Sequence, residues 1–307
     1  MAFAFDLPAA RAAIARICRR TPLVPAPTLG EGIFLKLESL QRTGSFKPRG
    51  ACAALSGLEA DEVVVASAGN HGLGTAYAAR ALGKRATVLL PETTPEIKRA
   101  QIAALGADVR VVAPTYDGAE AAARALARER AVPFVSPFDD DAVIFGNGVT
   151  VAEEILEQQP RVRTVIAPIG GGGLVAGLCA VLPPRVAVRG VQPAANCAMA
   201  ESLRLGRALV TYQGHPTLCE GLEGAVSERT FAAVRAAEVA ITLVEEAAVR
   251  RAMAFAYRSL GLLCEPSAAV GIAALREGGL RPATPAVVVI TGANVEPSLL
   301  DEVLREE

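Results

Sequence analysis

From about residue 60 onward, short runs rich in valine and isoleucine alternate with longer alanine-rich stretches. Val63–Ala66 reads as a strand, His71–Leu82 as a helix ending at Gly83, and Ala86–Leu90 as a strand. Pro95–Leu105 reads as a helix ending at Gly106, Val109–Val112 as a strand, Tyr116–Arg128 as a helix and Phe134–Val135 as a strand. A helix over Val149–Gln158 precedes Thr164–Ile169 (strand), Leu174–Leu182 (helix) and Val186–Val191 (strand). The strand Val287–Ile290 and a terminal helix close the pattern. The apolar residues within these strands are consecutive, so both faces of each strand are covered, as in a parallel sheet between helices. The chain is therefore expected to be α/β, with doubly wound sheets. Ligands in such sheets sit at the carboxyl ends of strands, where loops enter helices.

A length of 307 residues suits about two domains. The net charge of -1 gives no electrostatic reason to expect nucleic acid or an anionic membrane as partner. No apolar run approaches the roughly 20 residues that span a bilayer. Arg11, Arg16, Arg19 and Arg20 face a single acid, Asp6, near the start. A transit peptide would look similar, but an amphipathic helix over Pro8–Cys18, stopped before Thr21-Pro22, is the reading preferred. Six cysteines without a CxxC read as reduced, mostly buried residues of a cytoplasmic protein. Two histidines, His71 and His215, and no Cys/His cluster leave no zinc site.

Two strand-to-helix loops are chemically unusual. Ser67-Ala68-Gly69-Asn70-His71-Gly72 follows a strand and opens a helix. Its free N–H groups and small residues suit a carboxylate, and a helix cap by Ser67 or Asn70 explains it equally well. Gly170-Gly171-Gly172-Gly173-Leu174 carries four glycines in a row, which is costly in conformational entropy. Converging several N–H groups on a phosphate at a helix start accounts for that cost. Gly171-x-Gly173-x-x-Ala176 imitates a dinucleotide fingerprint, but the next acid, Glu201, comes too late to hold a ribose. A third loop, Thr291-Gly292-Ala293-Asn294, follows the strand Val287–Ile290 and is weak evidence by itself.

Only four lysines occur, at 36, 47, 84 and 98. Lys36 falls in a strand, Ile33–Glu38, where every second residue can face water; Lys84 follows a helix-ending glycine; Lys98 sits on the polar side of a helix. Lys47 stands apart in Ser45-Phe46-Lys47-Pro48-Arg49-Gly50. An amine, unlike a guanidinium, can lose its proton and condense with an aldehyde. A lysine for an aldehyde, a loop for a phosphate and a loop for a carboxylate together fit pyridoxal phosphate and an amino acid.

In this order the motifs resemble the serine/threonine dehydratase and serine racemase family of fold-type II pyridoxal-phosphate enzymes. The resemblance runs from Arg20-Thr21-Pro22-Leu23 through Lys36-Leu37-Glu38, Thr43–Gly50, Ser67–Gly72 and Pro137–Asp140. It continues through the glycine loop, Glu265-Pro266-Ser267-Ala268 and Thr291–Asn294. Pro48-Arg49 and His71-Gly72 match the dehydratase side better than the cysteine-synthase branch. The resemblance implies a tryptophan synthase β-like fold of two doubly wound α/β domains with the active site between them. Residues 62–138 would form the small mobile domain, and 1–61 with 139–307 the large one. It implies that Lys47 carries pyridoxal 5'-phosphate, Phe46 packs beside the ring and Asn70 bonds the ring hydroxyl. Gly170, Gly171, Gly172, Gly173 and Leu174 would hold the phosphate, and Thr291 would face the pyridine nitrogen. Ser67, Ala68, Gly69, Asn70 and His71 would receive the substrate carboxylate. The implied reaction is β-elimination from L-threonine, L-serine or a relative such as 3-hydroxyaspartate, with a homodimer as the assembly. Racemisation, β-replacement and cofactor binding without catalysis are the rival readings.

Several positions depart from the family pattern. Ala68 stands where serine racemases carry the serine that works on the second face. Gln192 and Ala198 replace the expected carboxylates of a cation site, so no metal is expected. Gly146-Asn147-Gly148-Val149 and Glu220-Gly221 replace Gly-Gln-Gly-Thr and Asp-Gly near the active-site wall. With the final motif and one helix filling the C-terminal stretch, no residues remain for a feedback site, and inhibition by isoleucine or valine is not expected.

Overall fold

The computed structural model describes residues 3–306. Two sheets organise it, and each is built from the consecutive apolar runs. The chain opens with α1 (Leu7–Ile17), β1 (Leu23–Pro25), β2 (Ile33–Leu37) and α2 (Lys47–Ser56). A βαβαβα segment follows: β3 (Glu62–Ala66), α3 (Asn70–Ala81), β4 (Arg85–Pro91), α4 (Glu96–Ala104), β5 (Asp108–Ala113) and α5 (Tyr116–Glu129). Its strands form a parallel three-stranded sheet in the order β3-β4-β5.

The chain then crosses through α6 (Asp141–Ile144), one π turn over 145–149 and α7 (Thr150–Gln158). It continues with β6 (Thr164–Pro168), α8 (Gly173–Val181), β7 (Ala187–Pro193), α9 (Ala198–Leu205), α10 (Glu228–Ala236) and β8 (Ala240–Val244). The last elements are α11 (Glu246–Leu260), α12 (Pro266–Arg276), β9 (Ala286–Ile290) and α13 (Pro297–Glu306). The second sheet has six strands in the order β1-β2-β9-β6-β7-β8, parallel except for the edge pair β1–β2. Every residue of β9 is fully buried, as expected of a strand covered on both faces.

Two sequence expectations need correction. Phe134–Val135 is no strand: Phe134 makes an isolated bridge to Val64, and Val135 N–H donates to Val64 O at 3.1 Å. The run is too short to propagate a ladder. Lys36 does not face water; it is wholly buried. Lys36 Nζ donates to Thr21 O (2.8 Å), to Gln158 Oε1 (2.9 Å) and, in a short contact, to Glu154. Helix α7 covers that face of β2, so the alternation expected of a half-exposed strand does not apply there. The same network holds Arg49, whose Nε and Nη2 take the two oxygens of Glu38 (2.8 and 2.9 Å) while Nη1 reaches Glu154 (2.7 Å). Although burial pushes the Glu154 carboxyl up, Arg49 and Lys36 hold it below the ordinary carboxylate range.

Among the described residues, no helix is long and apolar enough to cross a membrane. All six cysteines are free thiols, and five of them are buried.

Candidate active site

Lys47 opens helix α2, and close backbone packing decides where it sits. A Cβ at Gly74 would lie 2.9 Å from the Lys47 carbonyl carbon, so a glycine there lets α3 lie directly against the start of α2. Lys47 Nζ donates to Pro137 O at 3.0 Å and lies 5.2 Å from the Phe46 ring centroid. Burial brings its amine down to about 8, with Glu265 pulling the other way. A buried amine with so low an affinity for its proton is prepared to act as a nucleophile or base.

The loop Thr291–Asn294 is stitched to the lysine motif along its backbone. Phe46 N–H donates to Thr291 O (3.0 Å), Ser45 bridges Gly292, and Ala293 N–H donates to Gly44 O (2.8 Å). Thr291 is thereby held against Phe46 and is buried.

The four glycines each answer a steric demand. A Cβ at Gly171 would meet the Phe138 ring at 2.4 Å, and one at Gly173 would meet Phe138 O at 2.8 Å. Gly172 has φ +92, and a Cβ at Gly170 would lie 3.0 Å from Gly221 O. Thr230 Oγ donates to Gly171 O at 2.7 Å, which turns that carbonyl into α10. The loop runs into the N-terminus of α8, where the first-turn N–H groups have no helical acceptor.

At the start of α3, Asn70 is held at both ends of its amide. Nδ2 donates to Glu265 Oε1 and Oε2 (2.8 and 3.0 Å), and Oδ1 accepts from Asn294 Nδ2 at 2.6 Å. Ser67 Oγ accepts from Gly69 N–H at 3.2 Å. His71 Nε2 lies 3.1 Å from Val135 O, and burial together with the charge of Lys47 holds the imidazole down to about 3. His71 is therefore neutral, with its ring directed toward Val135. Burial pushes the Glu265 carboxyl up to about 7, against the hydrogen bond from Asn70.

The donors fit pyridoxal phosphate. An amine available for an aldehyde, a glycine loop that any side chain would crowd at the uncapped start of α8, and a neutral threonine loop lie together. A family model of pyridoxal-phosphate dependent enzymes matches residues 14–292.

The chain belongs to the pyridoxal-phosphate dependent enzyme family.

Relatives are similar over nearly the whole chain. An L-threonine ammonia-lyase of Thermotoga maritima is 34% identical over 98% of this chain and 78% of the relative. A biosynthetic L-threonine dehydratase of Mycobacterium tuberculosis is 38% identical over 98% of this chain and 74% of the relative. Among solved structures, the processed form of threonine deaminase isoform 2 from Solanum lycopersicum has a TM-score of 0.88 at 31% identity, covering 97% of this chain and 86% of that one. Maize serine racemase has a TM-score of 0.89 at 26% identity, covering 99% and 98%. These matches establish the fold-type II architecture as well as the family.

The fold of this pyridoxal-phosphate enzyme brings Lys47, Asn70, the glycine loop and Thr291 into one region. Glu265, Phe138, Pro137 and Thr230 belong to it too, yet sequence reasoning gave none of them a role. The signals were present: Glu265 opens the motif Glu265-Pro266-Ser267-Ala268, and Ser227-x-x-Thr230 forms a capping box. Asn147 sits against the lysine-bearing helix α2. Its Oδ1 accepts from Gly50 N–H at 2.8 Å, so the π turn clamps α2. Lys98 is not on the open side of α4: its side chain is only 16% exposed, one turn before the buried Ile102, and its amine meets Glu220 Oε2 at 2.8 Å.

Proposed function

We propose that this enzyme dehydrates and deaminates a 3-hydroxy amino acid such as L-threonine or L-serine, giving a 2-oxo acid and ammonia. The observation that carries the reading is Lys47: a buried amine, hydrogen-bonded to a carbonyl rather than a carboxylate, between a glycine cradle and the Thr291 loop. The names of the relatives support it.

Pyridoxal phosphate, when bound, supplies a conjugated ring that takes up the electron pair left at the substrate Cα. The phosphate is assigned to Gly170, Gly171, Gly172, Gly173 and Leu174 at the start of α8. Phe46 would pack beside the ring, and Thr291 would offer its nitrogen a neutral hydroxyl. A neutral hydroxyl there would not enforce a protonated ring nitrogen, which would favour prompt loss of the β-substituent. Ser67, Ala68, Gly69, Asn70 and His71 receive the substrate carboxylate, His71 through its backbone N–H. Lys47 Nζ takes the α-proton, and its ammonium returns a proton to the departing β-hydroxyl, which leaves as water. The released enamine takes up water and splits into oxo acid and ammonia.

Residues 62–138 are proposed to move as a small domain against 1–61 and 139–307, because the carboxylate loop and the phosphate loop stand on different sheets. A homodimer in a reducing, cytoplasmic setting completes the proposal, supported by the free thiols.

The test is a panel of 3-hydroxy amino acids with detection of 2-oxo acid. Oxo acid from L-threonine or L-serine is the expected result; none from any member would sink the reading. Ala68 leaves the second face of the substrate without a proton donor at that position, so recovered L-serine should keep its configuration. D-serine appearing faster than pyruvate would put racemisation first.

A further inference from the structure

Glu265 is buried at the N-cap of α12, yet its side chain makes no capping hydrogen bond there. Its carboxylate instead accepts the Asn70 amide on both oxygens. Among the described residues it forms no ion pair, although a buried carboxylate without a cation is costly. The structure makes room for it nonetheless: a Cβ at Gly292 would stand 2.5 Å from Glu265 Oε1.

The hydrogen bonds around Asn70 run in one direction only. Asn294 Nδ2 donates to Thr43 O (2.8 Å) and to Asn70 Oδ1, and Asn70 Nδ2 donates to Glu265. A carbonyl closes one end of this chain and a carboxylate the other, and neither can donate while the carboxylate is ionised. A flipped Asn70 would set oxygen against carboxylate oxygen. Thus Glu265 decides which end of the Asn70 amide points where, on the loop that also opens α3.

We propose that Glu265 is a positioning residue for the reaction: by accepting both hydrogen bonds from Asn70 Nδ2 it fixes the orientation of the Asn70 amide. This rests on the elimination reading and on the place assigned to the cofactor ring beside Asn70. The groups that face Glu265 electrostatically are Lys98 on α4 and Glu220, and Lys47, Cys219 and Cys264 each feel its charge. With burial and Glu220 favouring the neutral acid, and Asn70, the Asn294 backbone N–H and Lys98 favouring the carboxylate, the balance falls near neutrality. In the acid form one oxygen becomes a donor and the constraint on Asn70 weakens.

The experiment uses the holoenzyme and the apoprotein of wild type, Glu265→Gln and Gly292→Ala. The amide of Glu265→Gln can present either end to Asn70, and the Gly292→Ala methyl group pushes on the carboxylate. Glu265→Gln is expected to lower kcat for L-serine by about tenfold with KM changed much less. The visible absorbance of bound cofactor, titrated from acid to alkaline pH, should show a transition near pH 7 in wild type that Glu265→Gln lacks and Gly292→Ala displaces. For the wild-type apoprotein, the folded carboxyl keeps its proton up to about pH 7 while the unfolded chain releases it near the ordinary carboxylate value. Stability should therefore fall as pH rises between those values, and the slope should vanish in Glu265→Gln. Absence of oxo acid from wild type would defeat the elimination reading alone, because the absorbance and melting arms need no turnover. The proposal is overturned if Glu265→Gln keeps the wild-type absorbance transition and melting slope, or if its kcat is unchanged.

Discussion

Two buried lysines eleven positions apart make instructive neighbours. Lys36 lies in a network of Arg49, Glu38 and Glu154, with its amine bonded to a carboxylate, a carbonyl and an amide oxygen. Among the described residues, the Lys47 amine hydrogen-bonds only to the Pro137 carbonyl. Burial lowers the proton affinity of both amines, so burial alone does not distinguish them. The difference is in the company. The acceptors around Lys36 occupy its three donors and favour the charged form, which leaves no lone pair for an aldehyde. Lys47 can give up its proton without breaking an ion pair. A reactive lysine here is a buried lysine that lacks a carboxylate partner.

The comparison is most easily broken at Lys47. Lys47→Ala should remove the visible absorbance of bound cofactor and lower turnover by about 10³-fold or more. Borohydride reduction of the holoenzyme followed by peptide mapping should mark Lys47; a label on Lys36 would reverse the two roles.

On the other side, Arg49→Leu strands Glu38 in the core and should cost about 3–5 kcal/mol in urea unfolding. A loss below about 1 kcal/mol would mean that the network holds no more than a surface pair does.

A smaller effect separates the lysines by pH. Folded Lys47 releases its proton near 8 and the unfolded chain releases it near the ordinary lysine value. Between those values the unfolded chain binds more protons, so apoprotein stability should rise with pH. Lys47→Met should remove much of that rise; an unchanged slope would assign it to Lys36.

The smallest effect is expected from chelation. Gln192 Nε2 donates to Ile169 O (3.1 Å) and its Oε1 accepts from Ala200 N–H (2.9 Å). The Gln192 amide is thus engaged at both ends within the protein. Exhaustive chelation should leave the rate within the error of the assay; activity lost to chelator and restored by Mg²⁺ or Ca²⁺ would show a metal in use.

Much of this was legible in the sequence because the signals were local. Consecutive Val and Ile residues announced β3, β6 and β9, and four adjacent glycines have few structural uses. Lys47 was legible through its neighbours Phe46 and Gly50 and through the rarity of lysine. What escaped depended on residues far apart in the chain. Whether Lys36 is wet depends on α7, more than a hundred residues later. The contact of Glu265 with Asn70 joins residues 195 positions apart. Phe134–Val135 looked like a strand by composition, but only a single bridge forms.

The stitching of Thr291–Asn294 to residues 43–46 also sets an order in time. Strand β9 lies in the interior of the six-stranded sheet, between β2 and β6, and it is synthesised after every other strand of the two sheets. A nascent chain that has already exposed Lys47, the carboxylate loop and the glycine loop still lacks the strand that joins them. The ribosome must release residues 286–294 before the lysine has its wall, so cofactor capture waits for that stretch. Chains cut short ahead of β9 should emerge colourless rather than partly active.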